Sequence, residues 1–238
     1  MKSCSILISN YNSFEAIQLC VESIRKFTRY PYHMIIYDDN STNEVDVKYL
    51  VEIGKKGWSG NLFGIKRLNH GGAINVLLNY CHTDLAMILD NDIEILGPGW
   101  LEEMVALAGD DVLLISGIER DYKSDQFCYP DWFQTWFMML NMEAYRDGAE
   151  IDWNRVTEDG IMIPTGAKLH IKMRKDNPKG YKFITPIPEY IQKKYRHFAH
   201  VSCIATSDPS DSPKFIKARE EKMSEIRRAL VELRNRRK

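Results

Sequence analysis

Two hydrophobic periods alternate along the first half of the chain. Short, largely apolar runs at Ser5–Ile8, Met34–Tyr37, Leu62–Ile65, Leu85–Leu89 and Val112–Ser116 predict strands. Between the first two, Ile17, Cys20, Val21, Ile24 and Phe27 recur at helical spacing. Asn12 or Ser13 is placed to cap that helix, with Glu15 set for a capping box with Asn12. A second helix is predicted from Asn43 through Leu50 and Ile53, stopped by Gly54. A third opens at Asn69-His70-Gly71-Gly72 and carries Ala73, Val76, Leu77 and Tyr80. A fourth opens at Pro98-Gly99-Trp100 and runs to about Ala108. Strands that are apolar throughout and alternate with helices predict an α/β fold. Its sheet is Rossmann-like and mostly parallel, with helices on both faces. In such sheets ligands bind beyond the carboxyl ends of the strands. The polar clusters fall there: residues 9–12 (SNYN), 38–42 (DDNST), 69–72 (NHGG) and 90–92 (DND).

The second half is less regular. Asp131–Met142, rich in Trp, Phe and Met, suits a sheet extension or a wall against the core. Asn177–Pro188 reads as loop and short strand, and Ser207–Pro213 as a linker. Phe215–Lys238 predicts a helix, with Ile216, Met223, Ile226, Leu230 and Leu233 forming its apolar stripe. These boundaries divide the chain into a domain over 1–206 and a linker with a C-terminal helix over 207–238.

Composition narrows the classes. The 238 residues have a formal net charge of -1, so no global basic field marks a nucleic-acid partner. No apolar run approaches the ~20 residues that span a bilayer, and the apolar stretch Cys4–Ile8 stops too soon for a secretory signal. The five cysteines are odd in number and form no CxxC, so free thiols in a reducing cytoplasm are expected. Charge is uneven, however. From Lys214 onward ten Lys or Arg stand against four Glu. A basic amphipathic helix suits peripheral contact with an anionic membrane, near a lipid-linked acceptor. Its stripe lacks Trp, and lacks Phe beyond Phe215, which favours packing on the domain or on a second copy.

Candidate chemistry gathers at the strand ends. In Asp90-Asn91-Asp92, strand alternation puts the two carboxylates on one face and Asn91 on the other. Two like charges side by side call for a cation, and hard oxygen ligands suit Mg²⁺ or Mn²⁺, which can hold a diphosphate. Asp38-Asp39 can accept from a ribose hydroxyl or a base N–H, while Asn40, Ser41 or Thr42 caps the next helix. Gly71 and Gly72 allow close approach of a ligand to the backbone at a helix N-terminus that favours an anion. No GxGxxG or Walker-A lysine occurs. Trp132, Phe133, Trp136 and Phe137 offer either a sugar-stacking platform or core packing, and packing is the commoner use.

The ordered set SNYN, DDNST, NHGGAIN and DND resembles the family 2-type glycosyltransferases with the GT-A fold, well over Ser5 to Trp100 and more loosely to about Ser202. The resemblance implies a glycosyltransferase moving sugar from a nucleoside-diphosphate donor to a glycan, lipid-linked or other hydroxyl acceptor. It implies that Ser9, Tyr11 and Asp39 contact the nucleoside with Asp38 beside them. It places Asn69, Gly71 and Gly72 along the nucleotide pocket. Asp90-Asn91-Asp92 becomes the DXD motif, with Asp92 on Mn²⁺ or Mg²⁺ and Asp90 shared between ribose and metal. The Glu158-Asp159 pair matches the catalytic base of such enzymes, which deprotonates the acceptor hydroxyl. His197 matches the first position of a late H-x-G-x-x-S segment whose histidine approaches the metal, with Ala199 for the glycine and His200 a second candidate. The family often has proline where Ser9 stands and glycine where Asn40 stands. Two other readings stay open: an aspartyl-nucleophile phosphatase, and an inactive nucleotide- or glycan-binding module. The first is weakened by Ile93-Glu94 where Thr or Val-Thr is expected.

Overall fold

A computed structural model describes residues 1–124, 127–158, 161–163, 165–198 and 213–236 of the chain. The expected alternation is present: β1 (Cys4–Asn10), α1 (Phe14–Phe27), β2 (His33–Asp38), α2 (Glu44–Lys55), β3 (Gly60–Phe63), α3 (Asn69–Asn79) and β4 (Leu85–Asp90). There follow β5 (Ile93–Ile95), α4 (Trp100–Leu107), β6 (Val112–Ser124), β7 (Phe127–Asn141) and the short α5 (Met142–Ala144). The remaining elements are β8 (Val156–Glu158), β9 (Ile161–Ile163), α6 (Ala167–Lys175), β10 (Lys182–Ile184), α7 (Glu189–Gln192), β11 (Tyr195–His197) and α8 (Pro213–Asn235).

Seven strands form the central sheet in the order β10-β6-β7-β4-β1-β2-β3. Strand β1 pairs in parallel with both β2 and β4, and β3 continues the parallel half. Strand β7 runs antiparallel between β4 and β6. The run expected at 131–142 as a sheet extension or a wall against the core therefore lies within the sheet, in the strand between β4 and β6. Phe137 and Phe133 are buried there, in the apolar layers on opposite faces of the sheet. Ile6, Ile8, Leu85, Met87 and Leu89 line one layer, and Leu7, Ala86 and Ile88 the other, so successive residues serve two cores.

Local details depart from expectation in instructive ways. Ser13 precedes α1 but makes no side-chain cap; its hydroxyl donates to the Tyr11 carbonyl at 2.6 Å. Glu15 completes no capping box and instead meets Arg227 at 3.0 Å. The cap of α2 is Asn43 and not Asn40, Ser41 or Thr42: its side chain accepts from Val45 N–H at 3.0 Å. Asn12, Asn40 and Asn69 all adopt positive φ, at 45°, 64° and 63°. All three stand in turns after or before elements of the sheet's carboxyl end. Asparagine tolerates this left-handed region, so Asn40 can stand where the resemblance implies a glycine.

Helix α8 lies along α1. Ile226, Ala229, Leu230 and Leu233 pack with Ala16, Leu19 and Phe198 in a separate small core. The guanidinium of Arg234 donates to both carboxylate oxygens of Glu22, at 2.8 and 3.2 Å. Lys26 donates to the Leu233 carbonyl at 2.9 Å. Of the expected apolar stripe, Met223, Ile226, Leu230 and Leu233 thus find their partner within the chain. Among the described residues no helix is long and apolar enough to cross a membrane.

Candidate metal and nucleotide site

Strand β4 delivers Asp90 to the carboxyl edge of the sheet, and the turn into β5 brings Asp92 back beside it. Strand β11 then pairs antiparallel with β5, setting His197 opposite Ile93. The Phe198 N–H donates to the Asp92 carbonyl at 3.1 Å, and Arg196 forks onto the buried Glu94 at 2.5 and 3.0 Å. Those bonds fix the register that carries His197 to within 3.2 Å (Nε2 to Oδ1) of Asp92. One ligand atom from each of Asp90, Asp92 and His197 falls within 4.8 Å of the others. The imidazole is held flat against Trp136, with ring centroids 4.4 Å apart and planes 20° apart.

The electrostatics of this group fit a cation. Asp90 Oδ1 and His197 Nε2 are buried without a well-formed hydrogen bond among the described residues. Burial pushes the Asp90 carboxyl up from its ordinary value; the Asp92 charge adds to this, and His70 and His197 oppose it. Burial works against a charged His197, but the close contact with Asp92 and the charges of Asp92 and Asp90 outweigh it and raise the imidazole. Two hard carboxylates and one imidazole that need a positive charge between them form a donor set suited to Mn²⁺ or Mg²⁺.

His70 completes the floor and was not singled out by the sequence pattern. Its Nδ1 lies 3.4 Å from Ser9 Oγ, and its Nε2 3.3 Å from Thr135 Oγ1 and 3.7 Å from Asp90 Oδ1. The only signal for it was its place inside NHGG at the first turn of α3.

The acidic pair after β2 divides its work. Asp38 is occupied by the turn it closes: Ser41 N–H and Oγ donate to its two oxygens at 2.9 and 2.7 Å, and Asn10 Nδ2 donates at 3.0 Å. Asp39 faces α3 and accepts from the N–H groups of Leu68 and Asn69 at 2.6 and 2.8 Å. Burial raises its carboxyl, against the pull of those two N–H groups and Arg67. The Arg67 guanidinium covers the Tyr11 ring at 4.1 Å. Asn69 is exposed.

Three expected ligand-lining groups point elsewhere. Asn91 is buried and donates inward to Asn10 Oδ1 and Ser13 Oγ, both at 2.9 Å, so its amide braces the turn after β4 against the turn after β1. A Cβ at Gly71 would sit 2.2 Å from the Trp153 carbonyl oxygen, and one at Gly72 2.7 Å from Leu68 Cβ and 3.2 Å from Asn154 Oδ1. The missing side chains therefore admit another stretch of this chain. Asp152 and Asn75 secure that stretch: Asn75 donates to Asp152 at 2.7 Å and accepts from Trp153 N–H at 3.1 Å. Glu158 ends β8, in a two-stranded ladder with β9. Asp159, His200 and the Trp132 side chain lie outside the described residues.

Comparison with known proteins gives this geometry a context. A model of glycosyl transferase family 2 matches residues 5–162. An uncharacterized protein of Sinorhizobium fredii, y4gI, is 27% identical over 114 residues; the match covers 44% of this chain and spans 12% of that relative's length. Among solved structures, the mannosyltransferase PcManGT of Pyrobaculum calidifontis, in complex with GDP-Man and Mn²⁺, superposes with a TM-score of 0.57 at 16% identity, over 94% of this chain and 70% of that one. TarS of S. aureus, residues 1–349, gives 0.51 at 15% identity over 77% of this chain and 57% of that one. Glucosyl-3-phosphoglycerate synthase of Mycobacterium tuberculosis, with UDP, gives 0.53 at 13% identity over 77% and 70%. These neighbours share the GT-A fold. With two thirds of its length matched by the family model, from β1 through the DND turn to β9, the chain belongs to glycosyl transferase family 2.

Proposed function

We propose that the protein transfers a sugar from a nucleoside-diphosphate donor to an acceptor hydroxyl, with a divalent ion held by Asp90, Asp92 and His197. The observation that carries this reading is the three-residue cluster itself, whose ligand atoms converge within 4.8 Å at the carboxyl edge of the sheet's parallel half. The complexes of structural neighbours with GDP-Man and Mn²⁺ and with UDP support the same chemistry.

In this mechanism Tyr11, Asp39 and the exposed Asn69 line the nucleoside end of the site. Ser9 and His70 bridge from there to Asp90. When bound, Mn²⁺ or Mg²⁺ supplies positive charge to the donor diphosphate, which becomes the leaving group. Asp90 and Asp92 hold that charge in position, and the Trp136 face fixes the ring plane of His197. Glu158 or Asp159 takes the proton from the acceptor hydroxyl as it attacks the anomeric carbon. Asp38, Asn10 and Asn91 keep the strand-end turns rigid beneath.

The test is thermal shift and donor hydrolysis with UDP-, GDP- and dTDP-sugars, with and without Mn²⁺, on wild type and Asp92→Ala. Stabilisation by at least one nucleotide that needs both Mn²⁺ and Asp92 supports the proposal. No metal-dependent stabilisation by any of them contradicts it, and phosphatase activity lost in Asp90→Asn would replace it with aspartyl-nucleophile chemistry.

A further inference from the structure

His70 is the second residue of α3 and stands between the two ends of the site. Its backbone is fixed on both sides. Before it, the N–H groups of Leu68 and Asn69 donate to Asp39 at 2.6 and 2.8 Å. After it, Gly71 packs so closely on the Trp153 backbone that a Cβ there would lie 2.2 Å from the carbonyl oxygen. The side chain is fixed as well, by hydroxyls from two strands. Ser9 Oγ of β1 lies 3.4 Å from Nδ1, and Thr135 Oγ1 of β7 lies 3.3 Å from Nε2.

Strand β4 runs between those two strands in the sheet. Ser9 is the register partner of Asp90, the last residue of β4. Strand β7 runs the other way and pairs its Phe137 with Leu89, so Thr135 stands one step past Asp90. The imidazole therefore spans the end of β4 from one neighbouring strand to the other. That span carries Nε2 to 3.7 Å from Asp90 Oδ1. The Ser9 hydroxyl can donate to Nδ1, and the tautomer that accepts there carries its proton on Nε2. An N–H held in that place favours one orientation of the Asp90 carboxylate. A ligand carboxylate already set in its orientation binds a metal more tightly than one that must find it.

We propose that His70 is a positioning residue: anchored by Ser9 and Thr135, it holds the Asp90 carboxylate in the orientation that serves the divalent ion. The role needs no change in the charge of the imidazole. It also ties the two ends of the site together, because the turn that sets His70 is bonded to Asp39. This inference rests on the reading of Asp90, Asp92 and His197 as a metal site.

The experiment is Mn²⁺ titration of the full chain, read by electron paramagnetic resonance, for wild type, His70→Ala, His70→Gln and His70→Asn. It is run without nucleotide, so that no contact between His70 and a nucleotide contributes. Gln places a side-chain N–H near the Nε2 position, and Asn places one near the Nδ1 position. His70→Ala is expected to weaken Mn²⁺ binding by about tenfold or more, as for loss of a group that steadies a metal ligand. Gln is expected to restore most of that affinity and Asn little of it, whereas a merely structural role would treat the two alike. Wild-type affinity in His70→Ala overturns the role, and so does restoration by both amides or by neither. Should His70→Ala fail to fold, the contrast between Gln and Asn carries the test. Wild type that binds no Mn²⁺ overturns the metal reading itself, so the two failures are distinct.

Discussion

At the scale of single residues, Asp90, Asp92 and His197 show how much a strand end can specify. Strand alternation predicted Asp90 and Asp92 together with Asn91 opposite; β4 in fact ends at Asp90, and it is the turn into β5 that brings Asp92 beside it while Asn91 turns inward to Asn10 and Ser13. The support for His197 comes from Trp136, whose ring lies parallel to the imidazole. Trp136→Ala should therefore weaken Mn²⁺ binding by about 10–100-fold, the usual range for loss of an outer-shell partner. A metal titration on the folded variant checks this, and affinity equal to wild type would deny Trp136 that role. Gly71 carries a different prediction. A methyl group there meets backbone atoms of Trp153 and Asn154, which cannot swing aside. Gly71→Ala should cost about 1–3 kcal/mol, read from the urea midpoint. The glycines show why part of the site was illegible in sequence. A position without Cβ looks the same whether a ligand or another stretch of chain approaches it. His70 was missed for the converse reason: a histidine followed by two glycines reads as turn composition, and only the fold brings Ser9, Asp90 and Thr135 around it.

At the scale of elements, local periodicity revealed β1 to β4 and their helices because each buries its own pattern. It could not reveal that β7 inserts antiparallel between β4 and β6. From Phe137 to Leu140, where it pairs with β4, β7 is apolar on both faces, and an apolar run carries no mark of direction. Nor could it foresee β5 and β11, whose three-residue ladder is accompanied by the Glu94–Arg196 ion pair. Yet that ladder delivers His197. For α8 the stripe was legible, and its partner α1 was not. Ile226 is fully buried against α1 and Phe198. Ile226→Ala should cost about 2–5 kcal/mol in chemical denaturation; a loss below 1 kcal/mol would mean that α8 is not packed as described. The strand pair β1–β4 carries a pH prediction. Asp84 accepts from the N–H and hydroxyl of Ser3 at 2.6 and 2.8 Å, and these bonds hold its carboxyl below the ordinary value. A carboxyl that is lowered in the folded state stabilises above its unfolded pKa, near 4, and that stability is lost as pH falls through the folded value. Asp84→Asn should flatten the acid limb of a stability profile between about pH 5 and 2. An acid limb identical to wild type would contradict the assignment.

At the scale of the whole molecule, the near-zero net charge conceals a division. Carboxylates gather at the strand ends, and the basic surplus lies in the last helix, which folds back along α1 with its N-terminal half toward those ends. The apolar layers on both faces of the sheet hold the strand ends in register. The turns they carry then need little more than the Asn10–Asp38–Asn91 bonds to stay fixed. The central claim is that Asp90, Asp92 and His197 form one metal site that serves a diphosphate. Electron paramagnetic resonance titration of Mn²⁺ tests it most directly, on wild type, Asp92→Ala and His197→Ala, each with and without GDP or UDP. The account predicts one Mn²⁺ per wild-type chain, bound more tightly when the nucleotide is present, with that site lost in Asp92→Ala and weakened in His197→Ala. Equal Mn²⁺ binding by all three proteins, or binding indifferent to both nucleotides, would contradict it.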